Sequence, residues 1–182
     1  MFDILDTTIG DLKIIKPKLH SDNRGFFYES YRNSEIEKII GKKDIYFVQD
    51  NHSKSKKNVL RGLHYQIKSP QIKLIRVVSG KIFDVAVDIR KASDTFGKWF
   101  GIELNNINNF QLLIPEGFAH GYLTLSDEAE VVYKVTKYYD PEYERCIKWD
   151  DKQININWQS SIDPIISEKD YNGLSLQEAE IF

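Results

Sequence analysis

The segment from Leu60 to Gln66 concentrates side chains that could transfer a proton or bind an anion. It contains Arg61 and His64 and follows a polar stretch, Gln49–Ser53. An imidazole accepts and returns protons at neutral pH because its ordinary pKa is about 6.5, and a guanidinium suits bidentate contacts to phosphate. The same residues would also suit a core histidine and a surface arginine, so the pattern alone leaves both interpretations open.

Two further segments carry comparable side chains. Ile114–Tyr122 places His120 between two glycines directly after a turn, where the backbone can approach a ligand closely. Val131–Tyr139 alternates like a strand, which predicts that Tyr133 and Tyr139 lie on one face. An ordinary tight turn and core aromatic residues would produce the same two patterns.

Strands must position most of these side chains. Apolar and polar residues alternate with period two in Phe83–Ile89 and in Val131–Thr136. Glycine and proline mark the turns between strands, at Ser79-Gly80, Phe96-Gly97, Pro115–Gly117 and Asp140-Pro141. Many short strands separated in this way predict a sandwich or a barrel.

Helices are predicted to be few and short. Ser34–Glu37 has the form of a capping box, and Gly41 supplies a stop after one apolar stripe. A second short helix is expected near Leu176–Glu180. Ser167–Asp170 also has the pattern of a helix start, with Ser167 as the cap and an acidic residue in the first turn.

Length and composition exclude several classes of protein. The 182 residues suit one domain, residues 1–182, because typical domains contain roughly 100 to 150 residues. A net charge of -2 gives no reason to expect a nucleic acid or a membrane as partner. The single cysteine, Cys146, forms no internal disulfide, and no apolar run approaches the ~20 residues that span a bilayer. We expect a cytoplasmic location.

Taken together, these segments resemble the dTDP-4-dehydrorhamnose 3,5-epimerase family, the RmlC-like branch of the cupin superfamily. The match runs through Asp22–Phe27 with Glu29, Gln49–Asn51, Leu60–Gln66, Pro70–Leu74, Asp84–Arg90, Thr95–Gly97, Ile114–Tyr122, Tyr133-Lys134 and Ser167–Asp170. The strings Arg-Gly-Leu-His-Tyr-Gln and Pro-Glu-Gly-Phe-Ala-His-Gly are its most specific parts. The resemblance implies an all-β cupin-type jelly roll with a few short peripheral helices, usually in a homodimer.

The resemblance also implies a reaction and its catalytic residues. In this family the substrate has a ketone at C4, so a proton leaves C3 or C5 to give an enolate, and reprotonation on the opposite face inverts that carbon. His64 corresponds to the base and Tyr133 to the acid. Asp170 corresponds to the carboxylate that orients His64, and Lys73 to the cation beside the C4 oxyanion. No cofactor and no metal are expected.

Other positions correspond to the family's contacts with the nucleotide-diphosphate sugar. They are Arg24, Glu29, Gln49, Asn51, Arg61, His120, Tyr139, Glu144 and Lys169. One conflict accompanies this set, because strict alternation puts Arg61 and His64 on opposite faces of a strand. A bulge at Gly62 would bring both side chains to one pocket.

Several alternatives stay open at this point. A metal-dependent cupin is disfavoured because Tyr65-Gln66, rather than a second histidine, follows His64. An NDP-4-keto-sugar 3,4-ketoisomerase would use the same scaffold and base, and a non-catalytic sugar-nucleotide-binding cupin would need fewer of these groups. The substrate is expected to be dTDP-4-keto-6-deoxyglucose or a GDP-linked 4-keto-6-deoxyheptose, inverted at C3, C5 or both, in deoxysugar biosynthesis for surface polysaccharide.

Overall fold

The computed structural model describes residues 2–159 and 163–182, which are mostly β-strands. In chain order the strands are β1 (Phe2–Asp6), β2 (Lys13–Pro17), β3 (His20–Asp22), β4 (Gly25–Phe27), β5 (Gln49–Lys56), β6 (Leu60–Gln66), β7 (Lys73–Ser79), β8 (Lys81–Asp88), β9 (Trp99–Asn105), β10 (Gln111–Ile114), β11 (Phe118–Thr124), β12 (Glu128–Val135) and β13 (Glu144–Cys146). The helices among the described residues are α1 (Asn33–Ile40) and α2 (Glu168–Tyr171). Neither helix is long and apolar enough to cross a bilayer.

The strands form two antiparallel sheets and a separate hairpin. The six-stranded sheet has the order β1-β2-β10-β7-β12-β5, and the five-stranded sheet has the order β13-β6-β11-β8-β9. Strands β3 and β4 pair only with each other within the described residues. The two packed sheets form the sandwich that the strand pattern predicts and the jelly roll that the family resemblance implies.

Apolar residues from both sheets fill the space between them. Ile75 and Val131 contribute from the six-stranded sheet, and Ile82 and Ala86 contribute from the five-stranded sheet. The side chains of β8 alternate between the two faces of the sheet. Phe83, Val85 and Val87 therefore point away from the inter-sheet core and pack under the C-terminal segment. Strand β8 is therefore buried on both faces, which positions its neighbours β11 and β9 firmly.

The outer faces of the sheets are covered in different ways. Helix α1 packs Ile36 against Leu74 and Leu113 of the six-stranded sheet. Trp158 and Leu176, from the segments after β13, cover the five-stranded sheet. Burying one such side chain contributes about 1.5–3 kcal/mol to the free energy of folding. Both covering segments therefore stabilise the sheet on which they pack.

Two of the predicted helix features are wrong in detail. Helix α1 begins two residues earlier than the capping box implies, because its N-cap is Arg32 rather than Ser34, and Arg32 makes no side-chain cap. The Glu37 carboxylate does not reach back to Ser34 and instead accepts a hydrogen bond from the Ile45 amide at 3.3 Å. Gly41 ends the helix in the left-handed conformation, as predicted.

The helix expected near Leu176–Glu180 is also absent, and that stretch consists of turns. The amides of Glu178 and Ala179 both donate to the Ser175 carbonyl, and the Ser175 hydroxyl donates to the Glu178 carboxylate at 2.6 Å. The chain then continues to Phe182, whose carbonyl accepts from Lys91. Packing of this segment against the five-stranded sheet therefore overrides its weak helical pattern.

Candidate active site

A cavity of about 240 Å³ opens between the two sheets. Strands β5, β7 and β12 form one wall, and β6, β11 and β13 form the other. Its lining side chains are mainly polar: Gln49, Asn51, Ser53, Arg61, His64, Tyr65, Gln66, Gln71, Lys73, His120, Tyr122, Tyr133, Tyr139 and Glu144, with the backbone of Gly121. Most of the residues predicted for the site therefore meet in one place.

Strand β5 explains how the wall of the six-stranded sheet becomes polar. Its side chains alternate in burial, and the inward positions are Gln49, Asn51, Ser53 and Ser55. Asn51 lies opposite Tyr133 of β12 in the sheet register. Gln49, Asn51 and Ser53 border the cavity, which suits their polar side chains, whereas the inward positions of β12 beside them are mostly apolar core.

The bulge predicted at Gly62 is confirmed. Arg61 pairs with Tyr122 and His64 with His120, so the β6–β11 register shifts by one residue between these pairs. Gly62 has a φ of 122°, and a Cβ there would lie 2.5 Å from the Gly121 Cα. Only glycine allows this close approach, and the shift brings both Arg61 and His64 to the cavity.

His64 is paired with a carboxylate from a distant part of the chain. Its Nε2 donates to Asp170 Oδ1 at 2.5 Å, and Asp170 is buried while the His64 side chain is 27% exposed. Burial raises the pKa of Asp170, but the hydrogen bond and charge of His64 outweigh burial and lower it overall. An ionised Asp170 holds the proton on Nε2, which leaves the Nδ1 lone pair as the basic site.

Helix α2 carries Asp170 to this position. The Ser167 hydroxyl accepts a hydrogen bond from the Asp170 amide at 3.1 Å, so the predicted cap is confirmed. The cap uses only the backbone of Asp170, and its side chain remains free to bind His64. The segment therefore both caps helix α2 and places the Asp170 carboxylate beside His64.

The opposite wall supplies a cation and a phenol. Lys73, the first residue of β7, is buried, and its Nζ donates across the cavity to the His64 carbonyl at 3.3 Å. Burial lowers the pKa of Lys73 to about 8, which leaves it mainly protonated at neutral pH. Burial raises the pKa of Tyr133, so this phenol keeps its proton until a strong base removes it.

The mouth of the cavity holds a linked set of polar groups. Tyr139 lies beyond the end of β12, so its predicted position on the Tyr133 strand face is wrong, but its hydroxyl still borders the cavity and donates to Glu144 at 2.7 Å. Lys169 pairs with the other Glu144 oxygen at 2.5 Å. Burial raises the pKa of Glu144, but the bonds from Lys169 and Tyr139 lower it overall.

Hydrogen bonds between the sheets fix the other end of the cavity. The Tyr122 hydroxyl bonds to Ser53 Oγ at 2.9 Å, and Arg61 Nε donates to Ser55 Oγ at 3.0 Å. Arg61 is otherwise exposed: its Nη2 lies 3.5 Å from the Lys54 carbonyl, and the side chain borders the cavity. This is a suitable place for an anionic group such as a diphosphate.

The sequence prediction missed Asp84, the buried partner of His120. His120 Nε2 bonds to both Asp84 carboxylate oxygens, at 3.1 and 3.0 Å, and Asp84 is fully buried. Asp84 lies opposite Tyr122 on β8. The sequence did contain a signal for this pair. Asp84 is a carboxylate in a strand that is otherwise apolar and buried, and a buried charge needs a partner.

Arg24 and Glu29 lie away from the cavity. Arg24 belongs to the turn between β3 and β4 and pairs with Asp22 at 2.5 Å, and Glu29 pairs with Arg32. Neither residue borders the cavity of its own chain within the described structure. Their predicted contact with substrate therefore cannot be made within one subunit in this arrangement.

A small group of side chains beside the cavity has the chemistry of metal ligands. His64, Cys146 and Asp170 each offer one ligand atom, and these atoms lie within 4.8 Å of one another. Nothing in the acid–base arrangement requires a metal at this position.

Fold and site together define a class of protein: a cupin jelly roll whose cavity has a histidine–carboxylate pair on one wall and a tyrosine and a lysine on the other. The chain matches the family model described as dTDP-4-dehydrorhamnose 3,5-epimerase over residues 6–178. The chain therefore belongs to the dTDP-4-dehydrorhamnose 3,5-epimerase family, and it is an epimerase of the isomerase class.

Three relatives illustrate the similarity. The dTDP-4-dehydrorhamnose 3,5-epimerase of Shigella flexneri is 53% identical over 181 residues, covering 99% of each chain. The Legionella pneumophila dTDP-6-deoxy-D-glucose-3,5-epimerase, solved in complex with dTDP-4-keto-L-rhamnose, is 47% identical with a TM-score of 0.95, covering 99% of this chain and 95% of its own. A 3'-monoepimerase from Streptomyces bikiniensis, solved with dTDP-quinovose, is 31% identical with a TM-score of 0.89, covering 94% and 87%.

Proposed function

We propose that the chain epimerises dTDP-4-keto-6-deoxyglucose at both C3 and C5. The observation that carries this proposal is the placement of His64 and Tyr133 on opposite sheets across one cavity. Inversion needs a base on one face of the sugar and an acid on the other, and a single wall could not supply both.

The first chemical step is proton removal. The C4 ketone acidifies the protons on C3 and C5, and Nδ1 of His64 accepts one of them. Asp170 stabilises the imidazolium that forms, through the bond it accepts from Nε2. The Lys73 ammonium stabilises the enolate oxygen at C4, and its burial makes this charge more effective than it would be in water.

The second step returns a proton from the other face. The Tyr133 hydroxyl donates to the enolate carbon, and the tyrosinate is then re-protonated from solvent while His64 releases its proton. The same cycle repeats at the second carbon. No redox cofactor enters this cycle, because the enolate returns to a ketone without net gain or loss of electrons.

Binding of the diphosphate and the sugar rests on the surrounding groups. Arg61 supplies a guanidinium at the end of the cavity away from the mouth, and Lys169 brings a second cation, held by Glu144, at the mouth. Gln49 donates to Asn51 at 2.8 Å and accepts from the Tyr139 amide, so these amides are preorganised along the same wall. We assign the substrate-binding role to these residues and to His120.

We further propose that the protein is a homodimer in which the β3–β4 hairpin enters the partner's cavity. Phe26 and Phe27 on this hairpin are 57% and 68% exposed, which is unusual for large apolar side chains on one short element. Arg24 and Glu29 lie beside them and away from their own cavity. A second copy would bury the phenylalanines and receive both charged residues at its substrate site.

A mixing experiment tests the shared site. Arg24→Ala and His64→Asn chains are each purified, unfolded and refolded together. If one subunit supplies Arg24 and the other His64, hybrid dimers regain one intact site and activity rises well above that of either parent. No recovery from an equimolar mixture, with hybrids verified by mass, would contradict the proposal.

The substrate is tested by product analysis. The full chain is incubated with dTDP-4-keto-6-deoxyglucose and, separately, with a GDP-linked 4-keto-6-deoxyheptose, and proton couplings identify the configuration at C3 and C5. We expect double inversion of the dTDP sugar. Inversion at C3 alone would place the enzyme with the monoepimerase, a ketone moved to C3 would indicate a ketoisomerase, and binding without turnover would indicate a non-catalytic cupin.

The product of double inversion is a 4-keto sugar that deoxysugar biosynthesis for surface polysaccharide can use. This role and the cytoplasmic location remain predictions. Deletion of the gene followed by analysis of cell-surface glycans would test the role, since loss of one deoxysugar is the expected result.

A further inference from the structure

A thiol lies directly behind the catalytic histidine–carboxylate pair. Cys146 ends β13 and is paired with His64 of β6 in the sheet register. Its Sγ lies 3.9 Å from Asp170 Oδ1, the same oxygen that accepts the bond from His64. The thiol has no role in the proposed acid–base cycle.

The three ligand atoms lie close enough together for one metal ion to reach all of them after small movements. They lie within 4.8 Å of one another. In a zinc site, bonds of about 2.0–2.3 Å place neighbouring ligand atoms roughly 3.5 Å apart, so the His64–Asp170 separation must widen and the thiol must approach. Movements of about 1 Å are enough, and imidazole, thiolate and carboxylate are all accepted zinc ligands.

The surroundings favour a site with one open position. Asp170 is buried and held by the cap of α2, Cys146 is partly buried, and His64 keeps 27% of its side chain exposed. A fourth ligand, such as water, can therefore approach from the exposed side of His64. Among the nearby charged groups, the Glu144 carboxylate offsets the Lys169 ammonium that it binds, and the Lys73 ammonium lies on the His64 carbonyl side.

We propose that His64, Cys146 and Asp170 form a zinc-binding site through which Zn²⁺ inhibits the enzyme. The metal takes the place of the proton between His64 Nε2 and Asp170 Oδ1. That proton moves to Nδ1 through solvent, and the thiol releases its own proton to solvent, so binding one Zn²⁺ liberates one proton overall. The site would take other thiophilic divalent cations by the same chemistry.

Occupation of the site removes the catalytic base without filling the cavity. Once Nε2 binds zinc, Nδ1 carries the proton and has no lone pair with which to attack C3 or C5. This part of the inference rests on the proposed function. Because zinc binds on the side of the ring away from Nδ1, we expect kcat to fall while KM changes little.

Cobalt provides a direct test that does not depend on activity. Co²⁺ is titrated into the full-length protein, and the spectrum is followed for tetrahedral ligand-field bands and a thiolate-to-cobalt charge-transfer band. We expect one Co²⁺ per chain, the charge-transfer band, and displacement of Co²⁺ by Zn²⁺. Cys146→Ser and Cys146→Ala should lose the band and bind at least roughly 10- to 100-fold more weakly.

His52→Gln serves as the matched control, because His52 pairs with Glu130 on an exposed surface and could bind metal adventitiously. It should leave the cobalt spectrum unchanged. Equal cobalt affinity in wild type and both folded Cys146 variants, or no thiolate band in the wild type, would overturn the site. Loss of the band in only the His52 variant would overturn it as well.

The activity measurement separates this inference from the proposed function. Each variant is assayed with and without Zn²⁺, and only the ratio of the two rates is compared. We expect zinc to suppress wild-type kcat and to act on the Cys146 variants only at roughly 10- to 100-fold higher concentration. A cobalt site in a protein that epimerises no sugar would refute the function alone, and an active enzyme without a cobalt site would refute the inference alone.

Discussion

The molecule contains two histidine–aspartate pairs next to each other, and they are built differently. His64 on β6 and His120 on β11 are directly paired in the register of these two neighbouring strands. His120 is buried and takes its partner, Asp84, from the adjacent strand of the same sheet. His64 is partly exposed and takes its partner, Asp170, from a capped helix 106 residues further along the chain.

The difference indicates two uses for one combination of side chains. The His120 pair has both members enclosed, and its Nε2 is shared between the two Asp84 oxygens at 3.0 and 3.1 Å, which suits a fixed group that orients the substrate. The His64 pair has one short bond and an open imidazole, which suits a group that must gain and lose a proton. Burial and the source of the carboxylate, rather than residue type, distinguish the two proposed roles.

The largest expected effect comes from exchanging the two histidines in turn for asparagine. His64→Asn should lower kcat roughly 10²- to 10⁴-fold, because it removes the general base. His120→Asn should act mainly on KM, because it removes a positioning contact. Steady-state kinetics checks both. A larger kcat loss in His120→Asn than in His64→Asn would reverse the assignment of the two pairs.

A second large effect is expected for Tyr133→Phe. Turnover should fall roughly 10²-fold or more because the acid on the opposite face is lost. His64 can still remove and return a proton on its own face, so exchange of substrate protons with solvent should continue. Exchange is measured by mass increase of recovered substrate in deuterium oxide. Loss of exchange together with turnover would argue against separate faces for the two groups.

The two aspartates should differ in a smaller and complementary way. Asp170→Asn should lower kcat roughly 10- to 100-fold, which corresponds to a charge-assisted hydrogen bond of about 1.5–3 kcal/mol. Asp84→Asn should instead reduce the free energy of unfolding by about 1 kcal/mol, because its bond to His120 is buried. Kinetics and thermal unfolding of both variants provide the measurement. If the two variants lost similar amounts of kcat and of stability, the two aspartates would not have the different roles proposed for them.

The pH dependence of kcat should reveal the ionisation of Lys73, the buried cation on the wall opposite His64. Lys73 has a pKa lowered by burial to about 8, so it is charged below that pH and loses its charge as the pH rises through it. We therefore expect kcat to fall above about pH 8 because the enolate loses its counter-charge. In Lys73→Arg the guanidinium stays charged, so this limb should move to higher pH. An unchanged limb in the variant would assign it to another group.

The smallest effect is expected from a chelator. Dialysis against EDTA should not lower kcat, because neither pair needs a metal for proton transfer. Activity is compared before and after dialysis, and each divalent ion is then added back. Loss of activity that one particular ion restores would favour a metal-dependent cupin and contradict the acid–base account.

Local patterns predicted the strands and the bulge well. The alternation in β8 and β12 follows from burial of one or both faces, and the conflict between Arg61 and His64 had one simple solution at Gly62. The cap at Ser167 was also visible, because it depends on neighbouring residues alone. Patterns of this kind succeed where the structure is decided within a few residues.

Other features depend on contacts that no local pattern contains. The start of α1 and the turns after Ser175 are decided by packing against the sheets. Asp84 meets His120 only because β11 pairs with β8, and Cys146 lies beside His64 only because β13 pairs with β6. The distance of Arg24 from the cavity similarly depends on how the hairpin leaves the sandwich.

In the proposed mechanism, His64 removes protons from the carbons beside a C4 ketone and Tyr133 returns them from the other face. Proton NMR of the wild-type protein with dTDP-4-keto-6-deoxyglucose in deuterium oxide tests it most directly. We expect solvent deuterium at C3 and C5 of an inverted product, and none with His64→Asn. Inversion without solvent deuterium, or equal incorporation by the His64 variant, would contradict it.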